Sequence, residues 1–164
     1  MPATYEPISS ITLGASTSSV IFNSIPQTYT DLVLKITASP STNGVTGYMR
    51  LNSNTGSNYS MVGTRGNGTD TASYRQTSLG YFFFDYAGNT NIGTTTLSTV
   101  NFLDYSSTNK HKTNLVRQSN ASDVVEMLVQ KWSSNSAITS ITIFWSSGDI
   151  TSGSTFHLYG IKAA

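Results

Sequence analysis

The sequence predicts an all-β protein, an antiparallel β-sandwich of jelly-roll type with about ten or eleven strands and no long helix. Two observations lead to this fold class. Short segments in which apolar and polar residues alternate follow one another along the 164 residues, and such alternation places one face of a strand in a core and the other in water. Gly, Asn and Ser separate these segments, as turns require.

The predicted strands share this alternation and their turn-rich flanks. They cover residues 8–13, 19–22, 31–37, 47–52, 59–65, 79–85, 95–103, 111–118, 123–131, 137–145 and 154–161. The first two are expected to pair with each other, and residues 1–7 precede them as an N-terminal arm. The glycine-rich segment 63–71 is interpreted as a surface loop. We therefore expect a single β-sandwich domain over residues 1–164.

The last two predicted strands alternate most clearly and are interpreted as a closing pair. Isoleucines alternate with Thr and Ser in the first of them, and Phe156 and Leu158 flank His157 in the second. The alternation predicts that Ile141, Ile143, Phe156 and Leu158 are buried in the sandwich.

Residues 123–131 also contain amino acids that a helix tolerates, but β-branched valines favour a strand. Val125, Met127 and Val129 fall on one face of this strand, and Glu126 falls on the other. We therefore expect Glu126 to point to solvent, and we expect a hairpin-type connection to the next strand.

The composition excludes several classes of protein. The chain has no cysteine, which removes disulfides, thiolate catalysis and cysteine-ligated zinc sites. Only 10% of the residues are charged and the net charge is +1, whereas a nucleic-acid-binding protein normally concentrates positive charge. Serine and threonine take the place of charged residues, and this neutral surface is compatible with extensive contacts between subunits.

The sequence offers no sign of export or membrane insertion. Residues 1–7 lack a basic segment followed by a long apolar one, so a secretory signal is not expected. No apolar run approaches the roughly 20 residues that span a bilayer. We therefore expect no membrane partner.

No motif in the chain carries catalytic chemistry. Two glutamates and six aspartates are present, but nothing in their spacing pairs two carboxylates as glycoside hydrolysis requires. The chain has no Gly-x-Ser-x-Gly elbow and no calcium-binding loop, and the glycines near residue 65 lack the lysine of a phosphate-binding loop. The sequence therefore predicts no catalytic residue, no cofactor and no metal ion, and a protein that is not an enzyme.

One aromatic segment needs a separate explanation. In a strand, Tyr81 and Phe83 point one way while Phe82 and Phe84 point the other, so residues 80–86 are apolar on both faces. A strand of a two-layer sandwich normally buries one face. The second face is therefore covered either by a loop of the same chain or by another subunit, and both alternatives stay open. Aromatic residues near turns would also suit stacking on sugar rings.

Three separated blocks carry a resemblance to a known family. They are MPATYEPISSITL (1–13) with FNSIPQTYTDLVL (22–34), RLNSNTGSNYS (50–60), and the closing segment 132–162, which ends in GSTFHLYGIK. In this order they resemble small virion structural proteins of tailed bacteriophages, abundant in aquatic phages including those of cyanobacteria. The resemblance runs along the whole chain, and residues 65–120 diverge most.

This resemblance implies a β-sandwich component of the phage particle, without catalysis or cofactor. The leading expectation is a capsid decoration or cement protein, a homotrimer that binds the major capsid protein on the outside of the head. It would be synthesised in the host cytoplasm and end on the virion exterior. The alternative is a fibre or baseplate module that binds host-surface carbohydrate. The candidate assembly or ligand contacts are Tyr5, Pro7, Tyr81, Phe83, Tyr86 and Trp132.

Overall fold

The computed structural model describes residues 5–120 and 124–162, apart from the side chains of 87–89, and consists of strands packed as two sheets. The strands of this described part are β1 (Tyr5–Thr12), β2 (Val20–Phe22), β3 (Asp31–Ala38), β4 (Val45–Leu51), β5 (Tyr59–Gly66), β6 (Thr71–Leu79), β7 (Phe82–Thr90), β8 (Thr96–Leu103), β9 (Lys112–Asn120), β10 (Val124–Trp132), β11 (Ile141–Trp145) and β12 (Thr155–Ile161). Within it, no helix is long and apolar enough to span a bilayer.

The larger sheet has eight strands in the order β1-β12-β3-β8-β9-β10-β5-β6, and the smaller has four in the order β2-β11-β4-β7. Neighbouring strands are antiparallel throughout. The predicted all-β antiparallel sandwich is thus confirmed.

The inner faces of the two sheets form one hydrophobic core. Residues Ile141, Ile143, Phe156 and Leu158 are fully buried in it, as the alternation predicted. Burying such a side chain stabilises the folded state by about 1.5–3 kcal/mol relative to leaving it in water. The core is therefore the main source of stability, and it fixes which face of each strand is free.

Three predicted pairings of neighbouring strands are wrong, for one reason. The chain crosses from one sheet to the other between β1 and β2, between β10 and β11, and between β11 and β12. The closing strands therefore lie in different sheets, and β12 pairs instead with β1 and β3. Alternation identifies the buried face of a strand, but it does not say in which sheet the strand lies.

The structure has twelve strands in its described part, where ten or eleven were predicted. The strand that the sequence analysis does not predict is β6, which overlaps the predicted loop 63–71 only at Thr71 and the predicted strand 79–85 only at Leu79. Residues 63–66 of that predicted loop belong to β5. The edge strand β6 is mostly Thr, Ser and other polar residues, and most of its side chains are exposed or half-exposed, so it lacks the apolar positions on which the prediction relied. Residues 5–7 of the predicted arm belong to β1, and residues 1–4 lie outside the described residues.

The predicted orientation of β10 is wrong, because the face that carries Glu126 packs into the core. Glu126 is 3% exposed and faces the core with Leu128 and Trp132. Val125, Met127 and Val129 point to the outside of the larger sheet. Because both faces of this strand carry large apolar side chains, the position of the valines alone does not decide its orientation.

A close approach of two strands in the smaller sheet gives a test of this packing. A Cβ atom on Gly47 would lie 2.5 Å from the ring of Phe84, whereas one on Gly66 would meet nothing within 4 Å. We expect Gly47→Ala to destabilise the protein by about 1–3 kcal/mol through overpacking, and Gly66→Ala to be neutral or slightly stabilising. Urea unfolding measures both, and equal midpoints would contradict this packing.

Candidate functional site

Three of the predicted contact residues lie together on the smaller sheet. The ring centroids of Tyr81 and Phe83 are 5.5 Å apart, and those of Phe83 and Tyr86 are 4.6 Å apart. Phe83 is 3% exposed beneath its aromatic neighbours, so its ring offers no surface for the predicted contact, whereas Tyr81 and Tyr86 keep part of their surface in water. The outer face of the segment 80–86 is thus covered by other aromatic rings of this chain, with Tyr48 among them.

The aromatic patch on the outer face of the smaller sheet consists of Tyr48, Tyr81, Phe83 and Phe144, of which Phe83 is buried and the other three are half-exposed. Tyr48 stacks on Tyr81 at 3.9 Å between centroids and meets Phe144 edge-on at 5.7 Å. The pKa of Tyr48 is raised to about 12, mainly by burial and to a smaller extent by the hydrogen bond with Tyr81. The Arg50 guanidinium lies 4.7 Å from the Phe144 ring centroid. These rings pack against one another in stacked and edge-to-face geometries, which stabilises the patch.

Two other predicted contact residues lie on a strand edge. Tyr5 is exposed on β1 and packs edge-on against Tyr159. Pro7 is also exposed, and the strand register shifts between Pro7 and Ser9. Proline has no N–H to donate, and a bulge bends the strand, so this edge is poorly suited to pairing with a further strand.

The prediction of a contact role for Trp132 is wrong. Its side chain is 2% exposed and stacks on Tyr59 within the core, with 6.0 Å between ring centroids. A buried indole packed in this way cannot touch a ligand or another subunit. Its contribution is to stability.

A buried polar seam joins the two sheets along the free edge of β7, and it consists of Ser98, Glu126 and Gln130. The Gln130 side-chain amide accepts a hydrogen bond from the Phe83 N–H at 2.8 Å and donates one to the Phe83 carbonyl at 2.7 Å. Ser98 donates to the carbonyl of Phe84 at 2.6 Å. Side chains of the larger sheet therefore take the place of a neighbouring strand and satisfy the backbone of β7.

Glu126 has a structural position in this seam. One carboxylate oxygen accepts a hydrogen bond from the Tyr86 N–H at 3.1 Å, and the other accepts one from the Tyr74 hydroxyl at 3.3 Å. Burial raises the pKa of Tyr74, and the negative charge of Glu126 raises it further. The carboxylate holds β6, β7 and β10 together, and it does not face solvent as expected.

The described residues contain no group of three or more His, Asp or Glu side chains able to hold a metal ion. His157 lies on the outer side of β12 and its ring nitrogen is 2.9 Å from the Ser10 hydroxyl. This contact joins two neighbouring strands of the larger sheet.

The feature that sequence reasoning missed is an apolar stripe on the outer face of the larger sheet. It consists of Val62 on β5 with Val125, Met127 and Val129 on β10, each between 50% and 62% exposed. Val62 and Val129 are directly opposite each other in the ladder. The signal that could have revealed it is Trp132, because placing this largest apolar side chain of β10 inward forces the three stripe residues of that strand outward.

Two hollows of about 440 Å³ each border the apolar stripe. Arg75 and Lys131 line the first, on the side of β6. Arg117 and Gly66 line the second, where the missing side chain of the glycine leaves open space opposite Val125. The outer face of β5 and β10 is therefore an uneven apolar surface with cations at its margins.

The seam yields a matched pair of variants. We expect Gln130→Leu to destabilise the protein by about 2–4 kcal/mol, because it leaves a buried backbone donor and acceptor without partners. Gln118 is 4% exposed and neither atom of its amide has a hydrogen-bond partner among the described residues, so Gln118→Leu should be neutral or stabilising. Urea unfolding distinguishes the two, and equal losses would show that the seam does not satisfy β7.

Comparison with known proteins gives limited similarity. No family model and no curated protein matches the chain. Among solved structures, the chain is similar to galectin LEC-6 of Caenorhabditis elegans, with a TM-score of 0.38 and 10% identity over 94% of this chain and 96% of that one. A protein of unknown function from Shewanella oneidensis MR-1 is similar with a TM-score of 0.23 and 9% identity, over 98% of this chain and 77% of that one. At these TM-scores neither likeness bears on function.

Proposed function

We propose that this protein is a non-enzymatic structural protein of a bacteriophage virion, a decoration protein that binds the outer surface of the head and stabilises it. The observation that carries the proposal is the apolar stripe, four large side chains left half in water on one face of the sandwich. Burial of apolar surface is worth about 25 cal/mol per Å². A face of this kind gains most by being covered in an assembly.

The remainder of the surface supports the same proposal. With a net charge of +1 and 10% charged residues, copies of the protein repel each other weakly and can sit close together on a particle. The proposed partners are the major capsid protein and further copies of this chain in a homotrimer, on the virion exterior. Pro7 and the irregular register beside it favour contacts through sheet faces over strand addition at β1.

The proposal predicts the behaviour of particles without the protein. Virions purified from a phage that lacks this gene should lose infectivity at lower temperature and after milder osmotic shock than complete virions. Adding purified wild-type protein should restore resistance. Val129→Asp, which places a charge in the apolar stripe, should not restore it, whereas Ile21→Asp, at an exposed apolar position of the smaller sheet, should.

Both substitutions change exposed side chains, so each should leave the unfolding midpoint nearly unchanged. If particles without the protein resist heat and osmotic shock as well as complete ones, stabilisation of the head is the wrong function.

A second candidate function follows from the aromatic patch, which offers partly exposed rings beside a cation on the smaller sheet. Aromatic faces of this kind stack on sugar rings, and Arg50 can donate hydrogen bonds to hydroxyls. The alternative is therefore a fibre or baseplate module that binds host-surface carbohydrate.

This alternative predicts that the wild-type protein is retained on host cells and that Phe144→Ala weakens retention at least about fivefold. Stacking of a nucleic-acid base on an aromatic ring is worth about 1–3 kcal/mol, and we expect a loss of similar size for a sugar ring. Val129→Asp serves as the control on the opposite sheet and should be retained normally. A glycan array without a binder, together with antibody labelling of heads and not of tails, would exclude this function.

A further inference from the structure

Three exposed cations surround the apolar stripe at defined positions in the ladder. Arg75 on β6 is directly opposite Val62, and Arg117 on β9 is directly opposite Met127. Directly opposite residues have Cβ atoms about 4.5–5.5 Å apart. Lys131 follows Val129 by two positions, so it lies on the same face of β10. Each side chain is exposed.

Among the described residues, none of these cations forms an ion pair with a carboxylate. The only carboxylate on β5, β6, β9 and β10 is that of Glu126, which faces the core. The ion pairs of the described residues join Lys110 to Asp104 and Lys162 to Glu6, outside these four strands. The outer face of this part of the larger sheet is thus apolar in its centre and positive at its margin.

We propose that this face docks onto a different virion polypeptide, at a surface whose apolar centre is bordered by carboxylates. The inference rests on the proposed function and specifies its partner. Apolar contact at the centre of an interface excludes water, while complementary charges at the rim direct the approach and fix the orientation. The three cations match a rim of Asp or Glu side chains.

Charge argues against a twofold contact between two copies of this chain through this face. A twofold contact brings the same patch of both molecules together. It would place Arg75, Arg117 and Lys131 of one copy next to the same residues of the other, and β5, β6, β9 and β10 offer no outward carboxylate in the part of the chain that the structure describes. Like charges across an interface weaken the contact. A threefold contact joins two different patches, so the homotrimer of the proposed function does not bring this face of two copies together.

A binding assay on stripped particles tests the inference. Heads purified from phage lacking this gene are mixed with the protein and sedimented, and the bound fraction is measured between about 50 and 500 mM NaCl, a range over which exposed charges become screened. The wild-type protein should bind and lose affinity as salt rises. Arg117→Glu combined with Lys131→Glu should bind at least about tenfold more weakly at low salt, and its weak binding should depend little on salt.

The matched control reverses two cations elsewhere. Lys110→Glu combined with Lys162→Glu changes the net charge by the same amount and disrupts exposed ion pairs, which contribute about 0–1 kcal/mol each to stability. This control should bind within about twofold of the wild-type protein. Urea unfolding of both double variants confirms that they are folded.

The outcomes separate this inference from the proposed function. If the wild-type protein binds heads and the Arg117 and Lys131 reversal binds equally well, the docking face is wrong and the proposed function stands. If the wild-type protein binds no heads at any salt concentration, both fail. If the free protein forms dimers and Val129→Asp abolishes them, the occupant of this face is a second copy of the chain. If the protein binds double-stranded DNA and the Arg117 and Lys131 reversal abolishes that binding, the occupant is nucleic acid. Either result would overturn the inference.

Discussion

The free edge of β7 is the constraint on which the rest of this sandwich depends. Phe83 is buried there with a backbone N–H and carbonyl that no strand satisfies, and Gln130 pairs with both. Ser98 and Glu126 complete the seam. Glu126 and Gln130 reach β7 only if β10 turns them inward. Since side chains alternate along a strand, Val125, Met127 and Val129 must then point outward.

The energies favour this orientation of β10. A buried backbone donor or acceptor without a partner costs about 1–3 kcal/mol, and a buried carboxylate without hydrogen bonds costs more. Leaving a valine or methionine half-exposed gives up about half of the 1.5–3 kcal/mol that full burial would bring. The fold therefore tolerates the apolar stripe in the free protein. A partner that covers the stripe in an assembly would bring the remaining free energy of apolar burial. The polar seam inside the sandwich is thus linked to the proposed docking face outside it.

The sequence carried the fold class and most of the core, since isoleucines such as Ile141 alternate with polar residues without ambiguity. The sequence did not allow us to predict in which sheet each strand lies, because a chain that crosses between sheets shows the same alternation. The face of β10 is ambiguous in the sequence because Val125 and Leu128 make both faces apolar, and the large Trp132 is the one cue that favours the observed orientation. Of the predicted contacts, Tyr81, Phe83 and Tyr86 meet on one surface, whereas Trp132 belongs to the core. The cations beside the stripe come from separate strands, so only the ladder register brings them together.

Oxidation of methionine tests the link between the seam and the docking face most directly. Met127 is 50% exposed in the apolar stripe, whereas Met49 and Met61 are buried in the core. Peroxide converts exposed methionines to sulfoxides, and mass spectrometry reports the rate at each position in the free protein and on assembled heads. We predict fast oxidation of Met127 in the free protein, strong protection on the head, and slow oxidation of Met49 and Met61 in both. Slow oxidation of Met127 in the free protein, or equal rates free and bound, would contradict the account.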